Sequence, residues 1–594
     1  MRLLFFVLLS VLLIVLIILG FVAFRVLRNG DKSSSRRQGY AMLGCFTLTA
    51  VAACLIAALG ACCWLPARVL PSILGTQAQP RTTPQPIHAP AQTPVPEPPP
   101  IISYPGDTER FAVSMIPEER PALERLDDPP RYTLDVSVLW DQAMVAGQER
   151  LLLTNNEAVP LDEIVFRLFP NAPYYQEGNL EIGVVEANGH SAQFELSRED
   201  TVLTVTLPAP LPPEARIDLT LGFTVTVPSR PDRFGVHQNV MALGHWYPEL
   251  SVYDDEGWHT DPYVPLGDAF YSEASLFTLN LTLPEDVTVA ATGVETARRA
   301  NRDGSLTLTY QGGAVRDMTV VMGPVLEAIS TTVGQTTVNS FYLPNDRVGG
   351  QQALDVAAGS VQTYNELFGP YPYTDLDVVE GYFLIDGSPG GMEFSGLVLI
   401  SSEFYASEGP FTMLDMPAMV VAHEVAHQWW YAVIGDDQVD DPWLDEAFAV
   451  YSSILYFEAK QGRKGAQVQL LENCTLPYRL VAWAGGDRPI ATSLLDFGDA
   501  LTYSAIVYGK GGLFLHRLRE TLGDEHFLGL LQSYYAQFKY RVVRPGDFHT
   551  VMMNAIDSAA QEKAVAKLYD DWVLGATGEP VSLDDLRGLL DLLK

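Results

Sequence analysis

At 594 residues the chain is too long for one hydrophobic core, and 47% hydrophobic with 19% charged residues excludes a disordered polymer or a coiled coil. Asp and Glu number 72 against 38 Lys and Arg, and the net charge of -34 repels phosphate backbones, which argues against nucleic acid as a partner. Four of the five cysteines, Cys45, Cys54, Cys62 and Cys63, fall in one apolar segment and Cys474 stands by itself, so no disulfide framework is expected.

The chain begins with two uncharged stretches, residues 3–24 and 39–67, each long enough to cross the hydrocarbon core of a lipid bilayer as a helix. Between them lie Arg25, Arg28, Lys32, Arg36 and Arg37 against the single Asp31, and the positive-inside rule assigns this loop to the cytoplasm. Residues 1–70 are therefore expected to be a two-helix membrane anchor, with everything after it on the extracytoplasmic side. The competing reading keeps the first segment alone as anchor or signal. Residues 71–128 read as a linker, Pro-rich from Gln77 to Pro100 and semi-extended.

From about Tyr132 the pattern becomes strand-like. YTLDVSVLW, TVLTVTLPAP, RIDLTLGFTVTV and SLFTLNLTLP alternate apolar and polar residues between turn formers, which predicts an antiparallel β-sandwich-like domain over 129–328. After that, apolar residues recur at helical spacing over Gln351–Phe368, Met413–Ile434, Pro442–Gln461 and Tyr508–Thr521. Between the first two lie the short apolar runs LDVVEGYFLI and GLVLIS. The fold class is thus α+β, its last domain, 329–594, mostly helical with a small sheet.

The chemistry concentrates in MVVAHEVAHQWW. His423 and His427 are four apart, so on a helix both imidazoles face one way and can reach one ion, while Glu424 can reach a water beside it. The surrounding run is apolar, and unpaired polar groups buried there would cost a few kcal/mol. Zinc in a hydrolase needs a third protein ligand and an open position. Glu446, after 18 intervening residues and on the next expected helix, offers that oxygen.

HEVAHQWW, the 18-residue gap and WLDEAFA resemble the zinc signature of the aminopeptidase N family of gluzincin metallopeptidases, whose catalytic fold is thermolysin-like. The resemblance implies one Zn2+ held by His423, His427 and Glu446, with Glu424 as general base. It also implies that Gly391, Met392 and Glu393 line the substrate, Glu393 pairing with its free amino group, and that Tyr508, partnered by Tyr503, stabilises the transition state. Phe394 and Ala447 depart from the family pattern, which has asparagine and glycine there.

The expected function is that of a membrane-anchored zinc aminopeptidase acting on peptides with a free amino terminus. An endopeptidase or processing protease on the same site is the alternative, and a catalytically silent binding or scaffold protein is a third reading.

Overall fold

A computed structural model of the chain describes residues 108–385, 388–405 and 415–577. The apolar stretches 3–24 and 39–67, the basic loop and the proline-rich stretch lie outside the described residues. Among the described residues no helix is long and apolar enough to cross a membrane.

The β-rich part grows from strands with one buried face. Tyr132, Leu134, Val136 and Val138 are buried in strand Arg131–Leu139, as are Ile217, Leu219, Leu221, Phe223 and Val225 in strand Arg216–Thr226, the period of two that a half-buried sheet requires. Eight strands form the larger sheet, in the order Val294–Ala300, Ser305–Val315, Ser275–Pro284, Arg131–Leu139, Met144–Thr154, Arg216–Thr226, Asn179–Ala187 and His190–Ser191. Two four-stranded sheets share its core: Ile164, Phe166, Leu203, Val205, Met241 and Val320 cluster with Leu134 and Leu221.

Two expectations need correction here. The domain is not purely antiparallel, because Arg131–Ser137 runs parallel to Leu276–Thr282. The long excursion between them brings the chain back in the same direction, which a short hairpin cannot do. Nor is the whole of 71–128 linker, since Phe111, Met115, Ile116 and Leu123 are buried and Ile116 N donates to Pro372 O at 2.9 Å. Those apolar side chains gain more from burial than an extended chain would give them.

A five-stranded sheet follows, in the order Glu327–Val333, Thr336–Tyr342, Asp375–Gly381, Leu397–Ser401 and Gly391–Met392. Its first strand straddles the boundary expected at 328/329. Against it pack helices α1 (Arg347–Leu367) and α2 (Met416–Ala426), and on these two packs α3 (Trp443–Leu470), kinked at Gly462, where φ is +73°. Then come α4 (Leu476–Trp483), α5 (Ala500–Ser504), α6 (Gly511–Leu522), α7 (Asp524–Phe538), α8 (Pro545–Asn554) and α9 (Ala559–Trp572).

Helix α2 is shorter than the predicted 413–434. It stops at Ala426 with His427 as its cap, and the apolar run continues as a turn in which Ala432 N bonds to His427 O. The indoles of Trp429 and Trp430 meanwhile donate to Gly369 O and Ser452 Oγ. Among the described residues, the β-rich and helical parts pack as one unit. Buried Arg316 fastens them, donating to Ser272 O, Tyr431 O, Val433 O and Arg541 O.

Candidate metal centre

Helix α2 starts where Asp415 accepts from Ala418 N and Pro417 occupies the first turn, a position that has no intrahelical bond to lose. Its last turn carries His423 and Glu424, and His427 follows at the cap. Glu446 sits in the first turn of α3.

His423 Nε2 lies 3.1 Å from Glu446 Oε2 and 3.1 Å from His427 Nε2, and His427 Nε2 lies 3.3 Å from Glu446 Oε2. Ligand atoms about 2.0–2.1 Å from a tetrahedral ion stand about 3.3 Å apart, so this triangle has the size zinc requires. The donors also suit zinc chemically. His427 Nδ1 faces Trp430 O at 3.1 Å, and a carbonyl can only accept, so Nδ1 carries the proton and Nε2 keeps its lone pair. In the metal-free site, where the imidazole nitrogens facing it can carry protons, the bonds from His423 and His427 outweigh burial and lower the Glu446 pKa to about 2. The same three residues form a cluster able to hold a metal ion.

Glu424 is 5% exposed, and its Oε2 has no hydrogen-bond partner among the described residues. Burial pushes its carboxyl up to about 8 in the metal-free site. Gly391 lies directly against this carboxylate, where a Cβ would collide with Oε1. Met392 is fully buried, with Sδ 3.0 Å from Arg233 Nη1. Glu393 is 2% exposed and accepts from Gln438 Nε2 at 2.9 Å, and burial, with Asp268 adding to it, holds its carboxyl well above the usual range. The Tyr508 hydroxyl donates to Glu446 Oε1, and its ring stacks on His423 with centroids 5.7 Å apart. Tyr503 meets Tyr508 edge to face at 5.8 Å.

Every residue singled out from the sequence thus falls in one buried neighbourhood. Phe394 does not open into it: the ring is fully buried beside His245 and Gly244. Two neighbours, Asp268 and Gln438, had no signal in the sequence. Asp268, whose charge bears on Glu393, Glu424 and Tyr508, comes from the β-rich part and is paired with buried Arg233. Gln438, in the turn between α2 and α3, bridges Glu393 to Asp445. These proximities are created by packing and leave no short-range spacing to detect.

Residues 352–572 match the peptidase family M1 domain. The chain is 28% identical over 288 residues to "Aminopeptidase M1-B" of Oryza sativa subsp. japonica, 46% of this chain and 32% of that protein. It is 30% identical over 304 residues to "Aminopeptidase N" of Lactococcus lactis subsp. lactis, 49% of this chain and 33% of that protein. The chain thus spans about a third of the length of these curated relatives. Among solved structures, an M1 zinc metallopeptidase from Deinococcus radiodurans has a similar fold, with TM-score 0.57 and 22% identity over 77% of this chain and 96% of that one. Residues 352–572 therefore belong to peptidase family M1, the aminopeptidase N family of gluzincin zinc metallopeptidases.

Proposed function

We propose that the chain is a zinc aminopeptidase that removes amino-terminal residues from peptides. The observation that carries this reading is the zinc-sized triangle of His423, His427 and Glu446 beside the unpartnered Glu424 Oε2. Zinc held there would polarise the scissile carbonyl and acidify a water.

Glu424 takes the proton of the attacking water and passes it to the leaving amine. Its raised pKa belongs to the metal-free site, and a divalent cation beside it lowers the value. Glu393 pairs with the substrate ammonium, which selects a free amino terminus and disfavours a blocked one. Asp268 adds negative charge to the same neighbourhood. The Tyr508 hydroxyl turns from Glu446 to donate to the oxyanion that develops on the substrate. Gly391 lets the chain pass close to Glu424, while Met392 backs the strand against Arg233. Phe394, buried in the core, gives no support to an endopeptidase cleft, so the aminopeptidase reading stands first.

The finer reading adds an address and a domain plan. The uncharged segments 3–24 and 39–67 and the basic loop between them support a two-helix anchor, with the Pro-rich linker, the β-rich domain and the catalytic domain outside the cytoplasm. Reporter fusions after Gly30 and after Arg81 test it: an extracytoplasmic signal at Gly30 overturns the topology.

For the activity, the detergent-solubilised full chain loaded with zinc is expected to hydrolyse an amino-acid anilide, to lose that activity to a chelator, and to cleave free peptides in preference to N-acetylated ones. Equal cleavage of free and acetylated peptides would remove the aminopeptidase reading in favour of an endopeptidase. No hydrolysis across a broad panel by zinc-loaded protein would leave a binding protein.

A further inference from the structure

Tyr508 does not sit on an ordinary α-helix. Residues Ala505–Lys510 form a π-helical turn between α5 and α6, a rare geometry that inserts residues into a helix and so reaims a side chain. A wider turn of this kind has a poorer intrinsic hold on its own rotation. Something outside it must fix the roll that brings the Tyr508 hydroxyl onto Glu446.

One face of the turn is set by close backbone packing. A Cβ on Gly509 would lie 3.1 Å from Cys474 O, and one on Gly511 would collide with Ala447 Cβ, the residue next to Glu446. The other face is held by Lys510, the last residue of the turn. Its side chain is 0% exposed, an unusual place for an ammonium. Its Nζ donates to Arg488 O at 2.6 Å and Gly575 O at 3.0 Å and forms an ion pair with Asp487 Oδ1 at 3.0 Å.

The two acceptor segments are themselves joined, since Ile490 N donates to Trp572 O and Ala491 N to Val573 O, each at 3.1 Å. The ring of Tyr478 lies 5.8 Å from Nζ. Were only packing needed here, an apolar side chain would serve without the cost of burying a charge.

Residues two apart on a helical turn point to roughly opposite sides of its axis. Pinning Lys510 on the far side therefore fixes where Tyr508 points on the near side. We propose that Lys510 is a positioning residue for Tyr508: its hydrogen bonds to Arg488 O and Gly575 O and its ion pair with Asp487 set the roll of the π-helical turn and so hold the Tyr508 hydroxyl at the metal centre. This rests on the role given to Tyr508 above. It also makes the segment around Gly575, beyond the last helix, part of the catalytic apparatus.

The test uses full-length, zinc-loaded protein and an amino-acid anilide, comparing Lys510→Met, Asp487→Asn, Tyr508→Phe and the double variant Lys510→Met/Tyr508→Phe. Loss of the oxyanion donor in Tyr508→Phe is expected to lower kcat about 10²-fold. Lys510→Met is expected to lower kcat at least about tenfold with KM within about twofold and zinc content unchanged, and the double variant is expected to match Tyr508→Phe. In the metal-free protein, amide exchange of residues 505–510 is expected to speed up in Lys510→Met while that of 443–455 does not.

Unchanged kcat in Lys510→Met overturns the proposal, and so does an equal further fall in the Tyr508→Phe background, which would mark a general structural role. Should Lys510→Met fail to fold, Asp487→Asn in both backgrounds decides by the same criterion. Full activity of Tyr508→Phe would remove the role of Tyr508 itself and the proposal with it, an outcome separate from failure of the lysine alone.

Discussion

The side-chain amide of Gln438 donates to Glu393 Oε1 at 2.9 Å. The same nitrogen donates to Asp445 Oδ2 at 2.7 Å, so one buried amide ties the carboxylate beside Met392 to the residue before Glu446. Replacing Gln438 by Leu leaves Glu393 without that donor and free to turn. The expected result is a rise in KM of about tenfold for substrates with a free amino group, with kcat changed far less. Steady-state kinetics on an anilide and its N-acetylated counterpart checks this, because only the free-amine substrate should respond.

Glu424→Gln keeps the size of the side chain and removes its basicity. Turnover is expected to fall about 10²–10⁴-fold while zinc content stays at one per chain, because the metal triangle does not include this residue. Metal analysis beside the activity assay separates the two effects. Turnover near that of the unsubstituted protein would remove Glu424 as the base.

Arg316→Met removes a donor from four carbonyls at the junction of the β-rich and helical parts; Val433 O and Arg541 O keep a backbone donor, whereas Ser272 O and Tyr431 O lose the one described for them. Buried acceptors left unpaired make this one of the costlier single changes, about 3 kcal/mol or more. A thermal unfolding midpoint lower by several degrees is expected. Since Gly435 packs against the guanidinium, the loss should be accompanied by faster amide exchange in residues 431–436.

His259 supplies a pH dependence outside the metal centre. It faces Asp254 at 2.9 Å, Asp437 at 3.6 Å and Asp261 at 3.7 Å, with Tyr271 and, through Asp254, Arg544 close by. The facing carboxylates, Asp261 first, raise its pKa from 6.5 to about 9, burial opposing. A raised pKa means that the folded state binds the proton more tightly, so this stabilisation is complete below about pH 6.5 and is lost as pH rises through about 9. Stability measured from pH 6 to 10 should decline across that window. In His259→Gln the decline should be shallower, and an identical slope would refute the assignment.

Much of the site was legible because its parts are local. His423, Glu424 and His427 fall within about one helical turn, so spacing brings them together, while Glu446 opens the next helix and reaches them through the packing of α3 on α2. The strand-like alternation from Tyr132 onward was equally plain, since a half-buried sheet writes its period into the chain. What escaped is non-local. The parallel pairing of Arg131–Ser137 with Leu276–Thr282 depends on a return path that no short pattern encodes. The early end of α2 at Ala426 is also a tertiary outcome, as Trp429 and Trp430 find partners away from the helix.

By itself, the sequence picked out the proposed metal triad and base, the acidic composition and the β-then-α order of the folded part, because these follow from residue type, count and short-range periodicity. The tertiary structure decided which distant groups surround them. Asp268 on its Arg233 partner, Gln438 between Glu393 and Asp445, and Lys510 beneath Tyr508 are each placed by packing between segments far apart in the chain. A buried charge or amide must find its partner in three dimensions, and that requirement leaves no repeat or spacing in the chain to read.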